Sequence, residues 1–556
     1  MWSVPKRNFT TIRFLIGTVL LLLALTFYYF TVLKVDYYKT GLLEPGLWDS
    51  EHYFAQAKAM MKDGYPYVNF GSQKVPSMYP PGYPALMLPW LTVLPEADSI
   101  LAPFRTNQTI GLLLLFATFG FYTYLERPLT GGFGALLLAT LPGFFTFCRS
   151  SLSEISASAL IALAFMFAYL GLKEERRWKI YLSAIFLGLS LNIRVQSLFF
   201  APLLLAMAFF PSQERRLRWF LHCFAVMTVF ALAASPSLVL NTIQFHSPFK
   251  TGYDFWLTEG FTLDRPVRSR TFSPRHIPGS VAILWRELTL HPKTWSVARY
   301  LGTGTSVVAP FILLVCVGVF FIRLNRFVIC AFLAGLSFFA LTSSMTPSWV
   351  DMRYYLPLLI VLVAVAVLPV VWAAENLFVA RRAVASLAIF VLFAVACLGY
   401  PSRSLSNTPQ GVASGTQTEG DRLQAWDALH FPTPPRHSPW LTAQRHFLEI
   451  FGHQPGIVLA DINPPYLNAL LPDPFVAAHL DGERFATFRS VVTYDRAQAL
   501  ALVKRALDQS HPVYALFVSQ KEMEEKAARL PQVDGYAWVV AENLPVEAVV
   551  LKLSPK

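Results

Sequence analysis

The chain has 556 residues, 54% of them hydrophobic and only 14% charged, with a net charge of +12. Soluble domains carry nearer a quarter charged residues, so this composition excludes a disordered chain, a coiled coil and a nucleic-acid-binding protein. Residues 401–556 carry a net −2 and residues 1–400 a net +14, in short basic clusters between apolar runs, the footprint of cytoplasmic loops in a membrane protein.

The first apolar run, about 14–33, follows Lys6, Arg7 and Arg13 and has no small-residue cleavage site behind it. It reads as an uncleaved first span with a cytoplasmic N-terminus. A first external loop, 34–82, follows it. The run 83–95 is short and interrupted by proline, and reads as an interfacial or re-entrant piece. Further spans are predicted near 107–125, 131–148 and 154–172. The run 179–210 is long enough for one helix but holds Asn192, Arg194 and Gln196 at its middle. One helix would put an arginine at mid-bilayer, at several kcal/mol. It would also split the basic stretches KEERRWK (173–179) and SQERRLR (212–218) between the two faces. A hairpin of two short helices keeps both cytoplasmic and brings Arg194 out at the external tip. Spans near 217–241, 304–323, 326–344, 354–375 and 383–400 complete eleven, with a long external loop at 242–303.

Residues 401–425 form a Ser/Thr/Gly/Pro-rich linker. Residues 426–556 read as a soluble, extracytoplasmic α/β domain, with strand-like runs at 456–461, 512–518, 536–542 and 546–552. Helical patterns lie at 495–509 and 521–530. There is no internal repeat. The five cysteines, Cys148, Cys223, Cys316, Cys330 and Cys397, lie in or beside apolar runs without ligand spacing, so they read as small apolar fillers.

Titratable residues near a bilayer are costly and usually functional. Here they fall at the external ends of the predicted spans. WDSEHY brings Asp49, Glu51, His52 and Tyr53; RSSLSE brings Arg149, Ser153 and Glu154; the hairpin tip brings Asn192, Arg194 and Gln196. The long loop brings Asn241, His246, Lys250, Tyr253 and Asp254, and WVDMRYYLP brings Asp351, Arg353, Tyr354 and Tyr355. Each has a plain structural reading: a helix-start pair for Asp49 and Glu51, an interfacial cap for Glu154, a hairpin anchor for Arg194, a snorkelling flank for Arg353. His52 and His246 read as structural. Together, carboxylates and arginines on one face suit a phosphorylated amphiphile presented from the lipid. Guanidinium can bind phosphate with two parallel bonds, and a carboxylate can deprotonate an attacking hydroxyl.

The same residues carry a resemblance. Residues 49–57, DSEHYFAQA, resemble the D-E-x-x-Y-x-x-x-A motif of the GT-C membrane glycosyltransferases that use polyprenyl-phosphate sugars. Asp49, Tyr53 and Ala57 match it; Ser50 replaces the motif's glutamate, with Glu51 one place later. Tyr79-Pro80-Pro81-Gly82-Tyr83-Pro84 is similar to the family's Pro-Pro segment, RSSLSE to its second acidic motif, and GLSLNIR (188–194) to its GLA-x-LTR element. NTIQFHSPFKTGY (241–253) resembles its N-x-x-x-FGSP-x-x-TGY segment, with His246 where glycine is usual. MRYYLPLLIVLVAV (352–365) resembles its RY-x-LP span start. The set runs in the family's order over roughly 40–400, and looks nearest the branch of protein O-mannosyltransferases and the lipid A aminoarabinose transferase.

The resemblance implies a catalytic membrane domain over 1–400 and an inverting transfer of sugar from a polyprenyl-phosphate donor to a glycan, lipid or protein acceptor. It implies catalytic roles for Asp49, Glu51 and Glu154, and donor-phosphate contacts for Arg194 and Arg353. Substrate contacts are expected from Tyr53, Tyr79, Arg149, Lys250, Tyr253 and Tyr354. No cofactor or metal is expected, since no full cation-ligand set is present. The expected setting is a bacterial inner membrane, with the site on the outer face. The rival readings are a flippase for lipid-linked sugars and a non-catalytic assembly protein on the same scaffold. The missing repeat and the absence of midplane polar groups weigh against the flippase.

Overall fold

The computed structural model describes residues 6–35, 48–70, 73–208, 216–254, 272–288, 309–345, 352–379, 439–451, 455–461, 475–480, 483–485, 492–494, 496–543 and 548–556. The chain divides into two compact units. One comprises Met1–Val35, Thr106–Pro236 and Ser269–Thr433; the other comprises Asp36–Arg105, Ser237–Arg268 and Pro434–Lys556.

Six of the described helices are long and apolar enough to cross a membrane: Thr11–Leu33, Asp98–Tyr124, Glu154–Glu174, Leu217–Phe245, Arg326–Ser343 and Arg353–Asn376. The protein is a polytopic α-helical membrane protein. The expected span 131–148 is not one helix. Helix Pro128–Thr140 stops at Leu141 and a short helix, Pro142–Cys148, follows. Pro142 drives the preceding residue to extended geometry, and Leu141 has ψ 118°. The Ala309–Val319 helix lies in the expected span 304–323, whose first residues fall outside those described, as does all of 383–400.

The run 179–210 breaks at Arg194. Helix Arg177–Ile193 ends there, Arg194 is extended (φ −146°, ψ 123°), and a 3₁₀ segment, Val195–Phe200, leads into helix Leu203–Ala208. The segment doubles back. His222 packs its ring on Tyr181 at 5.8 Å, and its Nε2 lies 3.0 Å from the Met207 carbonyl oxygen. In one straight helix Tyr181 and Met207 would be about 39 Å apart.

Close approach is bought with small residues. A side chain on Gly17 would strike the Pro128 backbone, and one on Gly132 the backbone of Gly17, so helix Lys6–Tyr28 and helix Pro128–Thr140 cross backbone to backbone. A second core joins Ile180, Leu187, Leu203 and Met207 to Phe165, Phe200 and Phe338, the last two stacked at 4.3 Å. Leu221, Phe224, Leu232 and Val239 stay exposed on helix Arg216–Phe245, as suits a lipid-facing surface.

In the other unit the WDSEHY segment starts a helix, Trp48–Asp63, buried over Glu51–Ala57 and followed by a small antiparallel hairpin of β1 (Val68–Phe70) and β2 (Gln73–Val75). The piece at 83–95 forms helix Gly82–Val93, carrying Pro89 inside it. The tail builds a five-stranded sheet from β3 (Gly456–Ala460), β4 (Phe475–His479), β7 (Val513–Phe517), β8 (Tyr536–Asn543) and β9 (Val549–Pro555), in the order β4-β3-β7-β9-β8. β4, β3 and β7 are parallel, and β9 and β8 turn antiparallel. β5 (Glu483–Phe485) and β6 (Val492–Tyr494) form a side hairpin. The middle strands β3 and β7 are buried end to end and read as continuous apolar runs, GIVLA and VYALF. β5 touches β1 of the first loop, and Gln244 donates to the Pro66 carbonyl at 3.1 Å. The first loop, the segment after Pro236 and the tail are thus one body. Residues 380–438, which include the expected linker 401–425, lie outside those described.

Candidate active site

The polar clusters read from the sequence form two groups, one in each unit. The first gathers on the start of helix Glu154–Glu174. Glu154 is buried, its side chain 1% exposed, with Arg194 at 10% and Arg353 at 13%. Arg194 donates to Glu154 Oε1 at 2.5 Å, to Ser153 Oγ at 3.3 Å and to Gln196 Oε1 at 3.2 Å. Arg353 Nε lies 3.9 Å from the same Glu154 oxygen, and its other end donates to the Tyr354 hydroxyl at 2.9 Å. Both guanidiniums lie over the Tyr354 ring, at 5.2 and 4.7 Å from its centroid. Among the described residues, two cations, one carboxylate and one aromatic face meet here.

The local structure explains why these three segments can meet. Asn107 donates to the carbonyls of Ser150 and Leu152 at 2.8 and 2.6 Å and accepts from Ser156, which pins the RSSLSE turn. Asn192 donates to the Ala233 carbonyl at 2.7 Å, fixing the end of its helix just before Arg194 leaves helical geometry. Tyr355 bonds Ser343 at 2.8 Å and so fixes the turn Met352–Tyr355 that carries Arg353. Arg149 is 2% exposed. It donates to the Thr31 carbonyl at 3.4 Å and lies over the Phe145 ring. Asp351 lies outside the described residues.

The second group gathers on helix Trp48–Asp63. Asp49, His52, Tyr53 and Gln56 recur at helical spacing and so share one face. The Tyr79 hydroxyl donates to Asp49 Oδ1 at 2.5 Å. Tyr79 packs against Tyr53 at 4.9 Å, Tyr253 at 5.6 Å and the His52 ring at 5.6 Å. Ser77 is the hub beneath it. Gln56 donates to Ser77 Oγ at 2.7 Å, His52 Nδ1 lies 3.2 Å from that oxygen, and Ser77 Oγ accepts from the Tyr79 N–H. Burial pushes His52 down to about 3, so it is neutral, and burial beside Asp49 pushes the Tyr79 hydroxyl well up. Tyr79 therefore keeps its proton at ordinary pH and donates a hydrogen bond to Asp49. Glu51 is buried in the same helix.

The TGY segment belongs to this group for a steric reason. A side chain at Gly252 would overlap the Ser77 and Met78 carbonyls, so only glycine lets Tyr253 reach Tyr79. Asp254 closes the turn by accepting from the N–H and hydroxyl of Thr251 at 2.8 and 3.1 Å. His246 has φ +57°, the left-handed region, which accounts for glycine being usual there in the motif it resembles. Lys250 is exposed. Gln56, Ser77 and Asn107 were not singled out from the sequence. Gln56 was findable as the fourth member of the helical face; Ser77 and Asn107 act through long-range bonds that carry no local pattern.

Among the described residues no group of three His, Cys, Asp or Glu side chains could hold a metal ion. No known family profile matches the chain, and no curated protein matches it by sequence. Its fold is another matter. It is similar to ArnT from Cupriavidus metallidurans bound to undecaprenyl phosphate, at TM-score 0.58 and 12% identity, over 96% of this chain and 97% of that one. The apo state of the same protein gives TM-score 0.55 and 13% identity over the same shares. The chain has the GT-C fold of membrane glycosyltransferases.

Proposed function

We propose that the chain is an inverting glycosyltransferase that moves a sugar from a polyprenyl-phosphate donor to an extracytoplasmic glycan, lipid or protein acceptor. The observation that carries this reading is the pair of guanidiniums, Arg194 and Arg353, converging at the end of a membrane-spanning helix. Its fold is shared with a protein solved with undecaprenyl phosphate bound. In the proposed step the acceptor oxygen or nitrogen attacks the anomeric carbon in line, and inversion follows. The bond from that carbon to the phosphate oxygen breaks, and its electron pair stays on the phosphate. The acceptor's proton goes to Asp49. Arg194 and Arg353 meet the charge that grows on the leaving phosphate, the kind of electrostatic term that usually dominates such catalysis.

The test is purified protein in lipid nanodiscs with a panel of radiolabelled polyprenyl-phosphate sugars and a cell-envelope extract as acceptor. The expected result is label leaving the lipid for an acceptor. Label that stays on its lipid but crosses the bilayer of sealed vesicles would instead make the chain a flippase.

The sidedness in this reading is eleven spans with every basic loop cytoplasmic, in a bacterial inner membrane. The shared body of first loop, post-236 segment and tail supports putting those three on one face. Reporter fusions after residues 176, 215 and 382 are expected to read cytoplasmic, and those after 260 and 420 external. External signals at both 176 and 215 would invert the map and remove Asp49 from the outer face.

A further inference from the structure

Glu154 is not laid out as a simple structural counter-ion. Both guanidiniums converge on one of its oxygens, Oε1, and neither takes the two-bond fork that usually marks a structural arginine–carboxylate pair. Its other oxygen, Oε2, is buried and makes no hydrogen bond among the described residues. A buried oxygen left unbonded costs stability, so a role is needed to account for it.

The charge bookkeeping of the transfer supplies one. A polyprenyl-phosphate sugar is a phosphodiester with a single negative charge. When the bond to the anomeric carbon breaks, the electron pair remains on the phosphate and leaves a monoester. With a second pKa of about 6, that monoester carries nearly two charges at neutral pH. Repulsion from Glu154 scales with phosphate charge, so it opposes the product about twice as strongly as the donor. We propose that Glu154 is an internal competitor for Arg194 and Arg353, holding the two guanidiniums in the empty site and driving off the monoester product after transfer. The inference rests on the reading of those arginines as phosphate ligands. It makes Glu154 a positioning and release residue rather than an acid or base.

The experiment compares two lipid probes at pH 8 on the full-length protein in nanodiscs: undecaprenyl phosphate, a monoester, and undecaprenyl methyl phosphate, a diester. Binding is measured for wild type, Glu154→Gln, Glu154→Asp and Arg194→Ala. Glu154→Gln is expected to tighten the diester about threefold and the monoester on the order of tenfold, the second effect being one charge larger. Its steady-state turnover is expected to fall further than its first turnover, because release slows. Glu154→Asp draws the carboxylate back and is expected to shift the monoester-to-diester ratio in the same direction by a smaller factor. It keeps a counter-ion for the arginines, and decides the matter by itself should the Gln variant not fold. A ratio unchanged in the folded variants, with Arg194→Ala still weakening both probes, overturns the inference and leaves the arginine reading standing. Wild type and Arg194→Ala binding both probes alike overturns the arginine reading and the inference with it.

Discussion

Asp49→Asn is expected to leave a folded, membrane-inserted protein whose turnover is lower on the order of 10²-fold or more. The substitution is close to isosteric, and the amide oxygen can still accept the Tyr79 hydroxyl that now lies 2.5 Å from Oδ1. The aromatic packing of Tyr53, Tyr79 and Tyr253 is untouched. What is lost is the one property the mechanism needs there, an anionic oxygen that can take a proton from the acceptor. Glu51→Gln is the natural control, because Glu51 lies two residues away in the same helix and is buried. The measurement is sugar transfer at saturating donor, with insertion checked by thermal melting in detergent. Near-normal turnover in Asp49→Asn with an inactive Glu51→Gln moves the base to Glu51. Normal turnover in both removes catalysis from this helix altogether.

The arrangement around Asp49 also shows what was legible in the sequence and what was not. That WDSEHYFAQA mattered was readable from its acidic and aromatic content beside a span. That Tyr79 would be the group bonded to Asp49 was not, because the two are joined by a bond across 30 residues and no periodicity encodes it. The break at Arg194 was readable for an energetic reason: a mid-bilayer arginine and a violated charge rule both forbid a single helix, and the chain does leave helical geometry there. The break at Pro142 was equally present in the sequence but was hidden by unbroken hydropathy, which measures burial and is blind to backbone geometry. In the tail, the runs at 456–461, 512–518 and 536–542 match β3, β7 and β8, and the run at 546–552 overlaps β9, which begins at Val549. β4, FVAAH, escaped notice because five residues give too little alternation or β-branching to stand out from a loop. The meeting of Glu154, Arg194 and Arg353 depends on three helix ends packing at one depth, and only the fold supplies that.

The two arginines are where structural and chemical roles can be separated most sharply. Arg194→Ala and Arg353→Ala are each expected to lower turnover on the order of 10²–10³-fold, the usual effect of removing one preorganised donor from a developing oxyanion. The lysine variants are expected to keep part of the activity, since charge survives but the planar fork does not. Arg194 spreads its guanidinium over Glu154, Ser153 and Gln196 at once, a reach that a single ammonium cannot reproduce. If the arginines were only membrane anchors, lysine would be nearly silent at both positions, because it snorkels equally well. Alanine at 194 also leaves Glu154 buried with Arg353 as its remaining cation at 3.9 Å, and removing one member of a buried pair costs about 3–5 kcal/mol. Loss of activity in Arg194→Ala alone could therefore reflect loss of fold. The double variant Arg194→Ala/Glu154→Gln settles which. Neutralising the stranded carboxylate is expected to restore most of the melting temperature while turnover stays low. Recovery of stability and turnover together would make Arg194 a partner for Glu154 and nothing more. Recovery of stability alone leaves the guanidinium with work to do on the substrate.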